Sequence, residues 1–304
     1  MKIAIHGLGR MGSQIAKKLV ESGSVEVIAH NRKEESSLID EAVSFGASPA
    51  YTKEDVLNAF KNEQLIIWIM LPSDVVNDQI TEWIKIVPKG SIIIDGGNSD
   101  FRQTIERSKL VNEQGSTLID IGVSGGIWGY ENGFSMMAGS DNEEAFNAIK
   151  PLLDILAQPK GGYSYFGPSG SGHFVKMTHN AIEYGMMESL AEGYRLLKEG
   201  PYKSIDLKKA SNVWQHSSVI TSWLNQLVAD IMAENPNLDG IEGKVAQSGE
   251  AKWALETAKE NGIDMPVIND SLRVRFDSEN GKTSYATKLL AAMRNKFGGH
   301  KINV

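Results

Sequence analysis

Short apolar runs alternate with amphipathic stretches through the first half of the chain. Several runs are rich in Ile and Val, and the segments between them have apolar residues that recur every three or four positions. Apolar strands separated by helices predict a doubly wound, mostly parallel sheet of the α/β class. The predicted strands cover residues 2–6, 25–30, 65–71, 91–95, 117–121, 134–138 and 163–166, and the predicted helices lie near residues 11–22, 34–45, 53–62, 73–86, 100–114 and 141–157.

The second half has a different pattern. Residues 172–199 predict one long helix without proline, and strand signals almost vanish after it. The segment Gly167-Pro168-Ser169-Gly170 lies between the two patterns and is typical of a domain boundary. We therefore predict an α/β domain over residues 1–167 and an all-helical domain over residues 168–304.

Composition and charge exclude several classes of function. The chain has 304 residues, no cysteine and a formal net charge of −7. Without cysteine there is no disulfide or thiolate chemistry, and the histidines show no zinc spacing, so we expect no metal site. An acidic chain without a basic tail is not expected to bind nucleic acid. The apolar runs are too short for a bilayer, and we expect a soluble cytoplasmic protein.

A glycine motif follows the first predicted strand directly and opens the first predicted helix. Such a motif lets backbone N–H groups approach a pyrophosphate at a helix N-terminus, as in Rossmann-type dinucleotide sites. An ordinary glycine turn is the alternative, and the flanking strand, helix and second strand argue against it. The predicted cofactor contacts are Gly7, Leu8, Gly9, Arg10, Met11 and Gly12, with Leu71 at the end of the third strand and Asn98 after the fourth.

The end of the second predicted strand is where the cofactor ribose should be recognised. NAD enzymes usually carry Asp or Glu there, whereas this chain has Asn31-Arg32-Lys33. Guanidinium binds phosphate bidentately, so two cations without a carboxylate favour the 2′-phosphate of NADP. A solvated basic turn is the alternative, and NAD remains possible as the cofactor.

Two more predicted strands end in glycine-rich polar turns. Asn98 lies in the first turn, and Ser124, Gly125 and Gly126 lie in the second. Ligands of open parallel sheets bind outside the carboxyl ends of strands, so these residues are candidate ligand contacts. Ordinary strand-to-helix turn chemistry would explain either turn taken singly.

One face of the long helix carries Lys176, His179, Asn180, Glu183 and Tyr184, which are spaced as neighbours on a helix. A solvated face usually carries Lys and Glu without His, Asn and Tyr between them. An amine and a carboxylate on a buried face can act as base and acid; a structural charge pair is the alternative. Apolar residues elsewhere around the helix predict that it is well buried, namely Phe174, Val175, Met177, Ile182 and Met186.

These motifs resemble the signatures of the decarboxylating 6-phosphogluconate dehydrogenases, within the β-hydroxyacid dehydrogenase superfamily. The resemblance rests on residues 95–99, 122–126 and 172–185, and segments 249–253 and 275–278 are similar to further family segments. Where the long enzymes have an acidic pair, this chain has Ile127-Trp128. It also lacks their second helical repeat, so the resemblance is to the short bacterial form.

The resemblance implies oxidative decarboxylation of 6-phosphogluconate to ribulose 5-phosphate and CO2, with reduction of NADP or NAD. This reaction belongs to the pentose phosphate pathway and to gluconate utilization. Lys176 would take the C3 hydroxyl proton and then stabilise the enolate oxygen, and Glu183 would protonate C1 of the enediol. Asn98, Ser124, Gly125, Gly126, His179 and Asn180 would orient the sugar acid, and Tyr184, Lys252 and Arg275 would hold its phosphate.

The resemblance also implies a homodimer, in which the tail of one subunit reaches the substrate site of the other. A final helix is predicted over residues 285–296, and the following segment 297–300 is similar to the end of the short-form enzymes. The apolar stretch 214–227 is suited to a two-fold interface. We therefore predict that His300 helps to bind the partner's substrate, with a frayed tail as the alternative.

Two other functions are open to the same sequence. A general β-hydroxyacid dehydrogenase acting on a small 3-hydroxy acid shares the Rossmann half, the Ser-Gly-Gly turn and the helix lysine. It needs no phosphate site, so Lys252 and Arg275 argue against it. A non-catalytic dinucleotide-sensing protein should have lost its acid or its base, yet Lys176 and Glu183 are both present.

Overall fold

The first part of the chain forms a single open sheet. The computed structural model describes residues 1–61 and 63–299. The strands are β1 (Lys2–His6), β2 (Glu26–His30), β3 (Ser48–Ala50), β4 (Ile66–Ile69), β5 (Ile92–Asp95), β6 (Thr117–Ser124), β7 (Ser135–Gly139) and β8 (Gly162–Tyr165). Their order across the sheet is β3-β2-β1-β4-β5-β6-β7-β8. Every neighbouring pair is parallel except β6 and β7, which are antiparallel.

Both faces of this sheet are buried. Ile3 and Ile5 point into one apolar core, while Ala4 between them belongs to a second core on the other face. This alternation follows from the period of two along a strand. Helices supply the covering residues of both cores, and these helices are α1 (Arg10–Glu21), α2 (Ser36–Ser44), α3 (Lys53–Ala59), α4 (Val76–Trp83), α5 (Phe101–Glu113) and α7 (Glu143–Ala157). The short helix α6 (Gly129–Asn132) follows β6.

The second part is helical throughout its described residues. It begins within the long helix α8 (Ser171–Glu199) and has a core of its own, which includes Tyr194, Leu227 and Leu289. The helices that follow are α9 (Leu207–Gln215), α10 (Trp223–Glu234), α11 (Glu250–Glu260), α12 (Pro266–Glu279) and α13 (Tyr285–Gly298). In the described ranges, no helix combines the length and apolarity needed to cross a membrane.

The predicted fold class is confirmed: a Rossmann-type, mostly parallel sheet is followed by a helical domain. β3 was not predicted, because Ser48-Pro49-Ala50 is short and proline is tolerated only in an edge strand such as this one. β6 is longer than predicted, because its turn-like end at Ser124 pairs with Ser135 of β7.

The contacts divide the chain into two compact units, of which the first is Met1–Lys176 and the second begins at Met177. The predicted boundary after residue 167 remains a prediction. The first turns of α8 are counted with the sheet because they pack directly on β6 and β7, through close contacts of Gly122, Gly139 and Gly172.

Candidate active site

The first glycine motif forms a tight turn between β1 and α1. Gly7 has φ +100°, and a Cβ there would lie 2.6 Å from the Met70 carbonyl oxygen. A Cβ on Gly12 would lie 1.9 Å from the Gly7 carbonyl oxygen. Both positions therefore require glycine for packing alone.

Gly9, between them, has a different environment. A Cβ built on it meets no heavy atom of the described residues within 4 Å. Gly9 is also the N-cap residue of α1 and gives the helix no side-chain cap. The start of α1 thus offers backbone N–H groups beside open space, which is what a pyrophosphate needs. The loop fits a dinucleotide at the point where the strand order reverses, between β1 and β4.

The other predicted cofactor contacts lie around this loop. Leu71 is beside it, since a Cβ on Gly7 would lie 2.9 Å from Leu71 Cδ2. Leu8 is buried in the core, so only its backbone could contact a ligand. Arg10 is exposed, and Met11 is half-buried.

The turn after β2 holds its cations at the surface. Asn31 is buried, and its Oδ1 accepts a hydrogen bond from Arg32 N at 3.0 Å. The Arg32 side chain is 69% exposed and pairs with Glu35 at 2.5 Å. Lys33 is also exposed. A phosphate bound here would meet two accessible cations but would compete with Glu35 for Arg32.

The loop that carries Asn98 is anchored by hydrogen bonds to Asp95. This buried carboxylate accepts hydrogen bonds from Gly97 N at 3.2 Å and from the Ser99 hydroxyl at 3.2 Å. It also pairs with the buried Arg107 at 3.0 Å. Asn98 itself is exposed. The loop is therefore fixed in place while its amide side chain faces outward.

Lys176 lies directly over β6. A Cβ on Gly122 would lie 2.2 Å from Lys176 Cβ and 2.7 Å from its Cγ, so only glycine admits the lysine here. Lys176 is 7% exposed. The strand then continues to Ser124, and Gly125 and Gly126 follow it, all three half-buried. The Ser-Gly-Gly segment and the lysine are thus brought to the same end of β6.

Asp120 of β6 fixes the start of α8. Its Oδ1 accepts from Gly170 N at 2.7 Å, and its Oδ2 accepts from His173 N at 2.8 Å. A carboxylate at a helix N-terminus satisfies unpaired N–H groups and complements the helix dipole. Burial raises the pKa of Asp120, while His173 and the two N–H groups act in the opposite direction. Asp120 therefore ties the lysine-bearing helix to the sheet.

Within the second unit, the polar face of α8 is the buried one. Asn180, Tyr184 and Glu188 follow one another by single turns and are all at least nine-tenths buried. Ile182 and Met186, on another side, are 51% and 45% exposed, and Phe174 nearer the helix start is also exposed. The prediction that these apolar residues help to bury α8 is therefore wrong for Phe174, Ile182 and Met186.

Arg275 of α12 lies under this face. Its guanidinium is stacked 3.2 Å from the centre of the Tyr184 ring, and the Tyr184 hydroxyl accepts from Ser248 N at 3.3 Å. Arg275 is 2% exposed, and its Nε has no hydrogen-bond partner among the described residues. None of the ion pairs found in that part of the chain includes Arg275. Burial lowers the pKa of Arg275, while the nearby Tyr184, Glu183 and Glu188 act in the opposite direction.

The remaining predicted substrate and acid residues, His179, Asn180, Glu183 and Lys252, belong to the second unit. Asn180 lies between His179 and Glu250, with hydrogen bonds of 2.9 and 3.0 Å. Glu183 is half-buried. The Lys252 side chain is 62% exposed and lies 3.9 Å from Glu256. His300 is outside the described residues.

Family models match both halves of the chain. Residues 2–167 match the NAD binding domain of 6-phosphogluconate dehydrogenase, and residues 172–304 match the C-terminal domain of 6-phosphogluconate dehydrogenase. The chain belongs to the 6-phosphogluconate dehydrogenase family. It is an oxidoreductase of this family, and residues 2–167 form the part that matches the family's NAD binding domain.

Named relatives of this family are similar over the whole chain. The Bacillus subtilis protein YqeC, which carries a provisional 6-phosphogluconate dehydrogenase name, is 37% identical over 99% of this chain and 98% of its own length. The NAD(+)-dependent, decarboxylating 6-phosphogluconate dehydrogenase of Haloferax volcanii is 32% identical over 99% of this chain and 98% of its own length. The decarboxylating 6-phosphogluconate dehydrogenase of Staphylococcus aureus is 32% identical, and the match covers 66% of it.

Solved structures share the fold. The 6-phosphogluconate dehydrogenase of Plasmodium falciparum superposes with a TM-score of 0.80 at 28% identity, over 100% of this chain and 66% of that one. The 3-hydroxyisobutyrate dehydrogenase of Mycobacterium tuberculosis has a TM-score of 0.73 at 18% identity, over 95% and 98% of the two chains. At that identity the second likeness shows the fold alone.

Four buried charged residues near these sites were not predicted as site residues. Asp120 and Arg107 hold the elements that carry Lys176 and Asn98, while Glu188 and Glu250 border the polar face of α8 in the second unit. Asp120 could have been noticed as a lone carboxylate inside an apolar strand. Glu250 precedes the predicted Lys252 by two positions, but the sequence spacing does not indicate that Glu250 is buried.

Proposed function

We propose that this chain catalyses oxidative decarboxylation of 6-phosphogluconate to ribulose 5-phosphate and CO2. The observation that carries the proposal is Arg275. A guanidinium that is 2% exposed and lacks an ion pair among the described residues needs an anion. The substrate phosphate would supply it, with Tyr184 holding the guanidinium flat beneath. A small 3-hydroxy acid without phosphate would leave this guanidinium without an ion pair.

Lys176 is proposed as the general base. Lys176 is buried directly over Gly122, and its amine would accept a proton from the C3 hydroxyl of the sugar acid. A nicotinamide cofactor held at the glycine loop of residues 7–12 would supply the acceptor for the hydride that leaves C3. Carbon dioxide then leaves the 3-keto acid because the ketone accepts the electron pair, and the protonated Lys176 stabilises the enolate oxygen.

Glu183 is proposed as the acid of the second half of the reaction. It is seven residues beyond Lys176 on α8, on the same helix face, and is half-buried. It would protonate C1 of the enediol. We propose that Asn98, Ser124, Gly125, Gly126, His179 and Asn180 orient the sugar acid, and that Lys252 adds a second, more exposed charge for the phosphate.

For the cofactor we propose a preference for NADP, with NAD as the alternative. Arg32 and Lys33 are exposed cations beside Asn31, where an acidic residue would favour NAD. Support for NAD comes from the Haloferax volcanii relative, whose name states NAD(+) dependence. The Plasmodium falciparum enzyme was solved with NADP+ and with 6-phosphogluconate.

The test is an assay of the purified protein with 6-phosphogluconate, in which NADPH and NADH are followed separately and CO2 is trapped. We expect one CO2 for each reduced cofactor. A 3-hydroxy acid without phosphate should react much more slowly. Equal activity on such an acid, or reduction without CO2 release, would contradict the proposal.

Two variants separate the proposed roles. Lys176→Met should lose hydride transfer by at least about 10²-fold, because proton removal and enolate stabilisation are both lost. Glu183→Gln should slow overall turnover yet still reduce cofactor in a single turnover, since Glu183 acts after CO2 leaves. Lys198→Met, near the other end of α8, is the control for helix stability. A Lys176→Met enzyme within tenfold of the unsubstituted enzyme would refute the assignment.

We also propose a cytoplasmic homodimer in which His300 completes the partner's substrate site. The exposed Ile182, Met186 and Trp223 are apolar surface suited to a partner, while Leu224 and Leu227 are buried in the chain's own core. α13 ends at Gly298, and Gly299 adopts φ 60° as its cap. Deleting residues 300–304 should raise KM for 6-phosphogluconate with little change for the cofactor. A monomer in light scattering would refute the proposal.

A further inference from the structure

Glu250 is a buried carboxylate with no part in the reaction proposed above. It is the first residue of α11 and is 2% exposed. Its Oε1 accepts a hydrogen bond from Asn180 Nδ2 at 3.0 Å. Its Oε2 is buried without a partner among the described residues. A carboxylate in the first turn of a helix is stabilised by the helix dipole, which offsets part of the cost of its burial.

This contact decides how the Asn180 amide is oriented. A carboxylate can only accept hydrogen bonds, so the amide must turn its NH2 group toward Glu250. The opposite orientation would place two acceptor oxygens against each other in a buried site. Asn180 Oδ1 is then directed to His179 Nδ1, which lies 2.9 Å away.

The orientation of Asn180 in turn decides where His179 carries its proton. Asn180 Oδ1 cannot donate, so the shared proton must be on His179 Nδ1. A neutral imidazole has one N–H, and therefore Nε2 is an acceptor. His179 is half-buried on the face of α8 that also carries Lys176.

We infer that Glu250 is a positioning residue that sets the tautomer of His179 through Asn180, so that Nε2 accepts a hydrogen bond from a hydroxyl group of the substrate. A polyhydroxy acid supplies such a donor, whereas a carbonyl or carboxylate oxygen at this point would meet a second acceptor. The identity of the ligand rests on the proposed function, but the tautomer does not.

The tautomer can be read by nitrogen NMR of protein with labelled histidine, at about pH 8, where imidazole of ordinary pKa is neutral. His179→Gln assigns the signal. We expect a protonated Nδ1 and an unprotonated Nε2. Glu250→Gln can still accept from Asn180 through its carbonyl and should retain this tautomer, while Glu250→Ala should give a mixture. Glu260→Ala, at the exposed end of α11, is the matched control and should change nothing.

A proton on Nε2 in the unsubstituted protein would overturn the inference, even if Glu250→Ala fails to fold. A single unchanged tautomer in a folded Glu250→Ala protein would also overturn it. Kinetics provide the second readout: Glu250→Ala should raise KM for 6-phosphogluconate about tenfold, near the upper range for one hydrogen bond, and Glu250→Gln should stay within about twofold.

The two proposals can fail separately. If the unsubstituted protein does not oxidise 6-phosphogluconate, the proposed function is wrong, and the NMR spectrum still decides the tautomer. If the tautomer is as inferred but KM is unaltered in Glu250→Ala, recognition of a hydroxyl by Nε2 is refuted.

Discussion

Gly122→Ala changes one hydrogen atom to a methyl group beneath the proposed base. The new Cβ would lie 2.2 Å from Lys176 Cβ and 2.7 Å from Lys176 Cγ. Carbon atoms in contact are normally about 3.5–4.0 Å apart, so strand and helix must separate by about 1.3 Å or more. Neither atom is the far end of a flexible side chain. The start of α8 must therefore move, carrying the amine with it.

A displacement of about 1 Å at a reacting group can cost about 100-fold in rate. We therefore expect Gly122→Ala to reduce kcat by about that factor while NADP binding, measured by fluorescence or calorimetry, is retained. Gly162→Ala is the matched control, because a Cβ on this β8 glycine meets nothing within 4 Å among the described residues. A Gly122→Ala enzyme within about threefold of the unsubstituted kcat would refute the reasoning, as would an equal loss in Gly162→Ala.

Two further predictions concern stability and the cofactor. Burial, with Glu192 as a second cause, raises the pKa of Glu188 to about 7. The folded chain then holds a proton that the unfolded chain has released, and this stabilisation is lost as pH rises through about 7. One pKa unit corresponds to about 1.4 kcal/mol, so the free energy of unfolding of Glu188→Gln should rise by about 2.5 kcal/mol relative to that of the unsubstituted protein between about pH 5 and 8. Urea titrations at several pH values measure this difference, and a difference that does not change with pH would contradict the prediction. Arg32→Ala should lower kcat/KM for NADP about 10–100-fold more than for NAD, and equal losses would show that Arg32 does not bind the 2′-phosphate.

The parts of the fold around the candidate site that sequence reasoning predicted well are local. Residues 7–12 are contiguous, so strand, turn and helix can be recognised together, and the structure confirms why Gly7 and Gly12 must be glycine. The spacing along α8 likewise follows from helix geometry. These features depend on neighbours in sequence, for which periodicity and turn chemistry are sufficient guides.

The parts that were missed depend on contacts between distant residues. Asp120 caps a helix that begins about 50 residues later, and Glu250 meets Asn180 across 70 residues. Hydropathy also failed for Ile182 and Met186, which are apolar yet exposed, while polar residues of the same helix are buried. The elements that pack against a helix decide which of its faces is buried. The pattern of apolar and polar residues along the helix does not identify those elements.

α8 runs without interruption from Ser171 to Glu199, and the proposed base and acid are seven residues apart on it. Each residue of a helix advances the chain by about 1.5 Å and turns it by about 100°. One inserted or deleted residue between Lys176 and Glu183 would therefore carry the acid to another side of the helix, although every side chain remained present. A substitution within this segment alters one side chain and leaves the others on their faces of the helix. A change in its length is compatible with function only when it returns Lys176 and Glu183 to the same helix face.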